Sequence, residues 1–324
     1  MHTVVQAKPE SVPNQPGVHT FARFRKRAKK SLPLLVMTLP GILFVFLFSY
    51  VPMFGIIIAF KDYKFQDGIL GSKWVGWKNF EFLFTSEHAW RITYNTIYLN
   101  FLFIATGLIA AVSLAIMMNE VKSRWANRYL QSSFFLPNIL SWVVVAAFVV
   151  PFMAQQTGLI NQLITALGFE QVDFYSRPEL WPLILVLISI WKGAGYNSLI
   201  YLAAIMGISH EYYESARMDG ATKRQQIIYI TLPLLKPLMI ILTILAIGKI
   251  FYADFGMFFN LIGNSGQLFP TTDVIDTYVF RALRSTGDVG MASAAGLYQS
   301  VVGFILVLTT NFIVRKLDRD SSLF

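Results

Sequence analysis

The stretch SHEYYESARMDGATKRQQIIYITLPLLKP, residues 209–237, is polar and helix-forming, and it lies between two long apolar runs. Ser209 is suited to cap a helix, and Glu211 and Glu214 place negative charge in the first turn, where unpaired amides and the helix dipole favour it. Asp219-Gly220 predicts the end of this helix, because glycine accepts the left-handed conformation that closes helices. We call residues 209–237 the transmitter segment.

A second helix is predicted directly after the break. Thr222, with Gln225 three residues later, predicts a capping box that starts this helix. The first helix would therefore be a separate surface helix of about two to three turns. Such a helix is suited to docking into a groove on another protein. Its predicted contact residues are Tyr212, Tyr213, Ala216 and Met218.

The composition is that of a membrane protein. Of the 324 residues, 55% are hydrophobic and only 14% are charged, whereas a soluble domain carries about 25% charged residues. A helix needs about 20 apolar residues to cross the hydrocarbon layer, and six runs reach or approach that length. The predicted spans are 34–60, 92–119, 132–153, 182–206, 234–251 and 289–314. We therefore expect an all-α integral membrane fold with six transmembrane helices.

The distribution of Lys and Arg predicts the orientation of these spans. With the N-terminus inside, the tails and connections on the inner side contain 16 basic residues, within 1–31, 120–131, 207–233 and 315–324. The opposite connections contain eight, within 61–91, 154–181 and 252–288. Both termini and the transmitter segment are therefore predicted to be cytoplasmic.

The basic N-terminus explains much of the formal charge of +9. Residues 1–31 contain seven Lys and Arg next to the first span, a pattern that attracts anionic lipid head groups and sets topology. We therefore predict contact with membrane lipid and no nucleic-acid partner. Residues 1–20 are proline-containing and poor in apolar residues, so we expect part of this tail to be disordered.

The apolar run that follows is about twice as long as the hydrophobic core of a secretory signal, and no small-residue cleavage site follows it. It is therefore expected to remain as a span. The predicted organisation is a cytoplasmic basic tail at 1–31, a six-helix transmembrane domain at 32–316 and a cytoplasmic tail at 317–324.

Motifs of catalysis and metal binding are missing from the sequence. No Gly-x4-Gly-Lys-Ser/Thr loop is present to hold ATP phosphates. Cysteine is absent, and the four histidines lack ligand spacing. We predict that the chain binds no cofactor or metal and has no catalytic residue. The histidines are His2, His19, His88 and His210.

The transmitter segment resembles the coupling loop of binding-protein-dependent ABC importer permeases, in which Glu-Ala-Ala is followed by three residues, Gly, and later Ile-x-Leu-Pro. Ser215 stands where the family usually has alanine. The resemblance implies the type I importer permease architecture with a cytoplasmic coupling helix. It assigns contact with an ATPase to Glu214, Ser215, Ala216, Asp219, Gly220, Ala221, Leu232 and Pro233, and the match continues through Ile230 and Pro237.

The same resemblance implies the partners and the location. They are a second homologous permease subunit, two cytoplasmic ATPase subunits that hold ATP and Mg, and an extracytoplasmic solute-binding protein. The chain would lie in a bacterial inner membrane. Closure of the ATPases would move the coupling helix, and Leu232-Pro233 would pass that movement to the fifth span.

Charged and aromatic residues at the outer ends of the fourth and fifth spans are candidates for the solute pathway. Lys192 lies mid-way along its run, where a lysine costs about 2.5 to 3.5 kcal/mol to insert, so it requires a cavity, a charged partner or carbonyl groups. For Lys249, the alternatives to a pathway role are snorkelling or a local pair with Asp254. Aromatic rings beside amides suit sugars, although rings also form interfacial belts. The predicted pathway residues are Lys192, Tyr196, Asn197, Lys249, Tyr252, Asp254, Phe255 and Asn260.

Three further motifs resemble the carbohydrate branch of these permeases. They are Trp191-Lys192-x2-Gly195-Tyr196, Asp254-Phe255 and residues 273–278. They are similar to the subgroup that imports oligosaccharides and polysaccharide fragments, alginate oligosaccharides among them. The resemblance covers about residues 32–316. Outer segments at 157–169 and 263–266 are expected to project toward a docking protein or to serve as ordinary connections.

Two other function classes remain open at this point. A secondary carrier would work without an ATPase and often shows repeated halves, which are not visible here. A membrane-embedded enzyme would need clustered ionisable residues within the spans, whereas only isolated charges occur. The identity and the charge of the solute also remain open. An acidic saccharide suits the two lysines, but lysines can be structural in a neutral-sugar permease as well.

Overall fold

The computed structural model describes residues 32–34 and 36–317. The predicted tail 1–31 and nearly all of the predicted tail 317–324 lie outside the described residues. The fold is dominated by helices, as the composition predicts. The longer helices are α1 (Leu32–Phe60), α2 (Glu87–Glu120), α3 (Arg124–Ile139), α4 (Trp142–Phe152), α5 (Leu159–Ala166), α6 (Trp181–Met206), α7 (His210–Met218), α8 (Leu232–Ile247), α9 (Phe255–Ile262), α10 (Ile275–Thr286) and α11 (Val289–Leu317).

Short elements join these helices. Strands β1 (Lys61–Asp62) and β2 (Lys73–Trp74) pair antiparallel, with Lys61 opposite Trp74. The short helical turns are Gly68–Gly71, Gly76–Phe80, Glu81–Thr85, Phe174–Ser176, Pro178–Leu180, Lys223–Gln226, Gly266–Leu268 and Phe269–Thr272. The chain divides into two compact units between Ile56 and Ile57. The first unit contains most of α1, and the second contains every element after it.

Within the described residues, five helices are long and apolar enough to cross a membrane. They coincide with the first, second, fourth, fifth and sixth predicted spans and confirm the all-α membrane fold. Their bounds, including short turns continuous with them, are Leu32–Phe60, Glu87–Glu120, Pro178–Met206, Lys223–Ile247 and Val289–Lys316.

The third predicted span, 132–153, differs from a single straight helix. Helices α3 and α4 cover it as a pair bent by 94°. Leu140 and Ser141 are extended at the bend, and the Ser141 hydroxyl caps α4 by accepting a hydrogen bond from the Val144 amide. Pro137, in the last turn of α3, lacks the amide that would continue the helical bonding. This geometry is that of a broken span or of a re-entrant loop, and the described residues contain six candidate spans when the pair is counted as one.

The packing of α2 on α6 forms one apolar core. Ala111 and Ala115 on α2 are buried against Tyr201, Leu202 and Ile205 on α6. Small residues let helices approach closely, which is the main source of packing energy in membranes, where burial of apolar surface from water is not available. This core connects the C-terminal half of α2 to the helix that leads into the transmitter segment.

Candidate functional site

The first helix of the transmitter segment, α7, begins and ends as the sequence predicts. The Ser209 hydroxyl accepts a hydrogen bond from the Glu211 amide at the N-terminus. At the other end Gly220 has a φ of 80°. The Gly220 amide donates to the Arg217 carbonyl at 3.0 Å, and the Ala221 amide donates to the Ala216 carbonyl at 2.8 Å. This pair of bonds is a Schellman motif, and its left-handed residue is the predicted glycine.

The second helix starts at once and continues into the membrane. Thr222 and Gln225 form the predicted capping box, in which the Thr222 amide donates to the Gln225 side chain at 2.7 Å. The helix widens into a π-turn at Ile227–Thr231 before α8. This wider turn lies directly before Pro233, whose ring would crowd a regular α-helical turn. The helical path from Lys223 to Ile247 is continuous over 25 residues.

Three contacts order the transmitter segment, and one of them joins it to another part of the chain. The hydroxyl groups of Tyr213 and Thr231 are 2.9 Å apart, which joins α7 to the π-turn. The Lys223 ammonium is 2.7 Å from a carboxylate oxygen of Glu120, the last residue of α2. Gln226 is buried and donates to the Ala221 carbonyl. Two of these contacts stabilise the segment internally, and the exposed Lys223–Glu120 pair joins it to α2.

The outer face of α7 carries the residues that a partner can reach. Met218 is 88% exposed, and Tyr212, Glu214 and Ser215 are also exposed. Ala216 is half-buried, and Tyr213 faces its own chain through its bond to Thr231. Of the four predicted contact residues, Tyr212 and Met218 thus point outward, whereas Tyr213 anchors the helix.

Lys192, on α6, closes the end of α3 at the bend. Its ammonium donates to the carbonyls of Pro137, Asn138 and Leu140 at 3.4, 3.0 and 2.6 Å. The Pro137 carbonyl also accepts from the Leu140 amide. These carbonyls lie at the C-terminal end of a helix, where a cation is favoured by the helix dipole. The alternative of carbonyl bonding is therefore the one that the geometry supports for Lys192.

Asp254 bonds to the other side of the same bend. The Trp142 indole donates to one Asp254 oxygen at 2.7 Å, and the other oxygen accepts from the Met257 amide and so caps α9. The Lys192 ammonium also lies 5.2 Å from the centre of a Trp142 ring. The bend, α6 and α9 are thereby linked through one lysine, one tryptophan and one aspartate.

Of the two alternatives to a pathway role for Lys249, the local pair with Asp254 is not formed. Asp254 is held by Trp142 and the start of α9, and the described residues place no ion pair between the two side chains. Lys249 is exposed just beyond the end of α8. It therefore differs from Lys192, whose donors are occupied by carbonyls.

The remaining pathway candidates are dispersed over several environments. Asn197 lines a cleft of about 320 Å³ between α2, α6 and α8. Tyr252 bonds to the Ser300 hydroxyl at 2.6 Å, and the Asn260 amide donates to the Gly256 carbonyl. The rings of Tyr196 and Phe255 lie against other phenylalanines, namely Phe135 for the former and Phe259 and Phe280 for the latter.

An irregular stretch between α8 and α9 was not predicted from the sequence. Its backbone groups are satisfied by side chains from three other helices: Asn100 donates to the Ile250 carbonyl, and Gln299 donates to the Phe251 carbonyl. The Asp276 carboxylate accepts from the Ala253 amide at 2.8 Å. Burial raises the pKa of Asp276 above its ordinary value, against the lowering effect of these hydrogen bonds. Buried non-helical backbone needs such partners.

Asp273 and Arg281 form a second buried group near this stretch. Arg281 donates to the Asp273 carboxylate, and Asn95 of α2 donates to the Asp273 carbonyl at 3.1 Å. Asp273 belongs to the 273–278 motif, so this polar side chain of the motif has a structural use here. No group of three or more potential metal ligands occurs in the part of the chain that the structure describes.

Comparison with known proteins places residues 104–319 in a family described as "Binding-protein-dependent transport system inner membrane component". The polygalacturonan/rhamnogalacturonan transport system permease protein YteP of Bacillus subtilis is 36% identical over 89% of this chain and 89% of its own length. Protein LplB of the same organism is 34% identical over 90% of this chain and 91% of its own length.

A similar fold is found in solved structures. A chain of a bacterial alginate ABC transporter, in complex with an alginate pentasaccharide-bound periplasmic protein, superimposes with a TM-score of 0.82 at 36% identity. The match covers 91% of this chain and 98% of that one. A chain of a bacterial ABC transporter involved in the import of the acidic polysaccharide alginate gives the same TM-score and identity, over 91% and 99% of the two chains.

Proposed function

Because this chain belongs to the family of binding-protein-dependent transport system inner membrane components and is a sugar ABC importer permease, we propose that it forms half of the pathway for an acidic oligosaccharide. The observation that carries this proposal is the transmitter segment, an ordered loop with an exposed face that continues without a break into a membrane span. The relatives named for polygalacturonan and for alginate act on polymers of uronic acids, which supports an acidic solute.

The proposed complex has four further components: a second permease subunit, two cytoplasmic ATPase subunits and an extracytoplasmic solute-binding protein. ATP and Mg are held by the ATPases. ATP binds the closed arrangement of the ATPases better than the open one, and this difference supplies the free energy that moves the coupling helix. The surface that contacts the ATPase and moves with it is formed by Glu214, Ser215 and Met218. The Lys223–Ile247 helix transmits this movement into the membrane.

The proposal is tested by reconstituting the chain with its partner subunits in proteoliposomes. ATP-dependent uptake of a uronic-acid oligosaccharide, with little uptake of a neutral oligosaccharide of the same length, is expected. A preference for the neutral sugar would overturn the acidic solute and leave the permease assignment intact. Uptake that needs no ATPase would instead indicate a secondary carrier.

The topology provides the next prediction. Because the chain contains no cysteine, single cysteines at Glu214 and at Glu179 report the two sides of the membrane. An impermeant maleimide added to intact cells is expected to label Glu179→Cys and to leave Glu214→Cys unlabelled until the membrane is opened. Both residues are exposed in the free chain. Labelling of position 214 from the outside would contradict the cytoplasmic coupling loop.

Replacing the two lysines is expected to have different consequences. Lys192→Ala removes a cation that binds three carbonyls, and charge-assisted bonds of this kind contribute roughly 1.5 to 3 kcal/mol each when a partner is lost. We expect a lower Tm of the complex and an equal fall in uptake of acidic and neutral ligands. Lys249→Ala is expected to preserve the Tm and to lower uptake of the acidic ligand several-fold more than that of the neutral one.

The measurement is uptake at matched complex content together with a thermal melt of each variant. Lys236→Ala, on α8 but outside the group of pathway candidates, is the matched control for loss of one basic residue. Unchanged solute preference in Lys249→Ala would remove the electrostatic argument for an acidic solute.

A further inference from the structure

Helix α5 buries one polar side chain and exposes several apolar ones. Asn161 is only 1% exposed; its amide donates to the carbonyls of Ala154 and Val172, and its oxygen accepts from the Val172 amide at 2.8 Å. Thr165 lies on the same polar side and donates to the Asn161 carbonyl. The polar face of α5 therefore fastens the surrounding loop to its own chain.

The opposite face of α5 is apolar and uncovered. Leu163 is 66% exposed and Leu167 74%, and Leu159 lies on the same side of the helix. Isolated exposed leucines are ordinary, but a continuous row of them marks a surface that is covered by something apolar. No residue from 154 to 169 is charged. This face thus offers nothing for charge recognition of a docking protein.

The apolar face continues into an exposed apolar side of two neighbouring helices. Ile160 of α5 lines a cleft of about 250 Å³ with Phe152 of α4 and with Ile184 and Leu187 of the spanning helix α6. All the residues that line this cleft are apolar. Leu187 is itself exposed on the side of a membrane span, so the cleft opens where hydrocarbon is expected.

The length of α5 decides how it meets the membrane. Its eight residues extend about 12 Å, far short of a crossing. A short helix with one apolar face lies in the plane of the interface and buries that face in the boundary between head groups and acyl chains. We infer that α5 is an interfacial anchor and that the cleft beneath it binds an acyl chain of a phospholipid. With the proposed topology this is the outer leaflet, and the inference does not depend on which solute is carried.

Depth measurement on the intact complex tests the anchor. The complex is placed in nanodiscs of phosphatidylethanolamine and phosphatidylglycerol, and nitroxide labels are attached to Leu163→Cys and Leu167→Cys. Oxygen concentrates in hydrocarbon, and a nickel chelate stays in water. Both labels are expected to collide mainly with oxygen, as a label at Leu187→Cys on α6 does, while Gln162→Cys and Glu179→Cys collide mainly with nickel. Nickel-dominated collisions at 163 and 167, or protection from both reagents by a protein partner, would overturn the anchor.

Photocrosslinking tests the acyl-chain cleft separately. A phospholipid with a photoactivatable group in its acyl chain is added to the same nanodiscs, and cross-linked peptides are identified by mass spectrometry. Cross-links to residues around Ile160 and Leu187 are expected. Ile160→Trp should fill the cleft and lower their yield several-fold, whereas Leu163→Trp, on the same helix but outside the cleft, should preserve it. An unchanged yield in Ile160→Trp, with both variants assembled, would exclude the cleft as the binding site.

Discussion

Gly220→Pro is expected to abolish ligand-stimulated ATP hydrolysis while the chain still inserts into the membrane. Gly220 has a φ of 80°, and its amide donates to the Arg217 carbonyl. Proline holds φ near about −65° and has no amide hydrogen, so both features are lost together. The Schellman motif cannot form, and α7 would leave the loop at a different angle from the capping box at Thr222.

The measurement is the stimulated ATPase rate of the purified complex, with subunit copurification as a check on assembly. Gly220→Asn is the matched control, because asparagine tolerates the left-handed region at a smaller cost than other residues. It should retain most of the coupling. Full stimulation in a correctly assembled Gly220→Pro complex would contradict the role of this turn.

The second large effect is expected at Gly195, on α6. A Cβ atom at this position would lie 1.9 Å from the Phe134 carbonyl oxygen on α3, which is backbone and cannot rotate away. Gly195→Ala should therefore force α3 and α6 apart, at a cost of about 1 to 3 kcal/mol or more for overpacking. Since Lys192 holds the end of α3 from the same helix, the bend at Leu140 would shift as well.

A thermal melt and the uptake assay measure this effect. Gly193→Ala, two residues earlier on the same helix, is the matched control, because its Cβ would approach only the Asn197 amide at 3.9 Å. Alanine is favoured over glycine in a helix by about 1 kcal/mol, so this control should be neutral or slightly stabilised. Equal Tm values for Gly193→Ala and Gly195→Ala would show that the two helices can separate without cost.

Local chemistry made much of the fold predictable. The ends of the two helices in the transmitter segment could be predicted to the residue, because helix caps act over three or four positions. The capping residues are Ser209, Gly220, Thr222 and Gln225. The spans could be found because hydropathy over about 20 residues is a property of the sequence itself. Both kinds of feature need no knowledge of which helices are neighbours.

Tertiary contacts limited the prediction of the pathway. The bend after α3 depends on Lys192, which is 52 residues from Leu140 in the chain. Asp254 is closer in sequence to Lys249 than to Trp142, yet it bonds to Trp142, 112 residues away. Sequence proximity suggested the wrong partner, because the irregular backbone after Ile247 turns Asp254 toward α4. The roles of Tyr196, Asn197, Tyr252, Phe255 and Asn260 in transport stay predictions.

The irregular stretch after α8 also determines which helices would receive a movement of the transmitter segment. The helix that begins at Lys223 extends about 37 Å over its 25 residues and includes the π-turn before α8. Its far end is fastened to Asn100 of α2, Asp276 of α10 and Gln299 of α11. A movement of the Lys223 end would therefore be passed to three helices through this one stretch. One movement of the helix would thus reach α2, α10 and α11 together, and the stiffest of these three connections would limit its size.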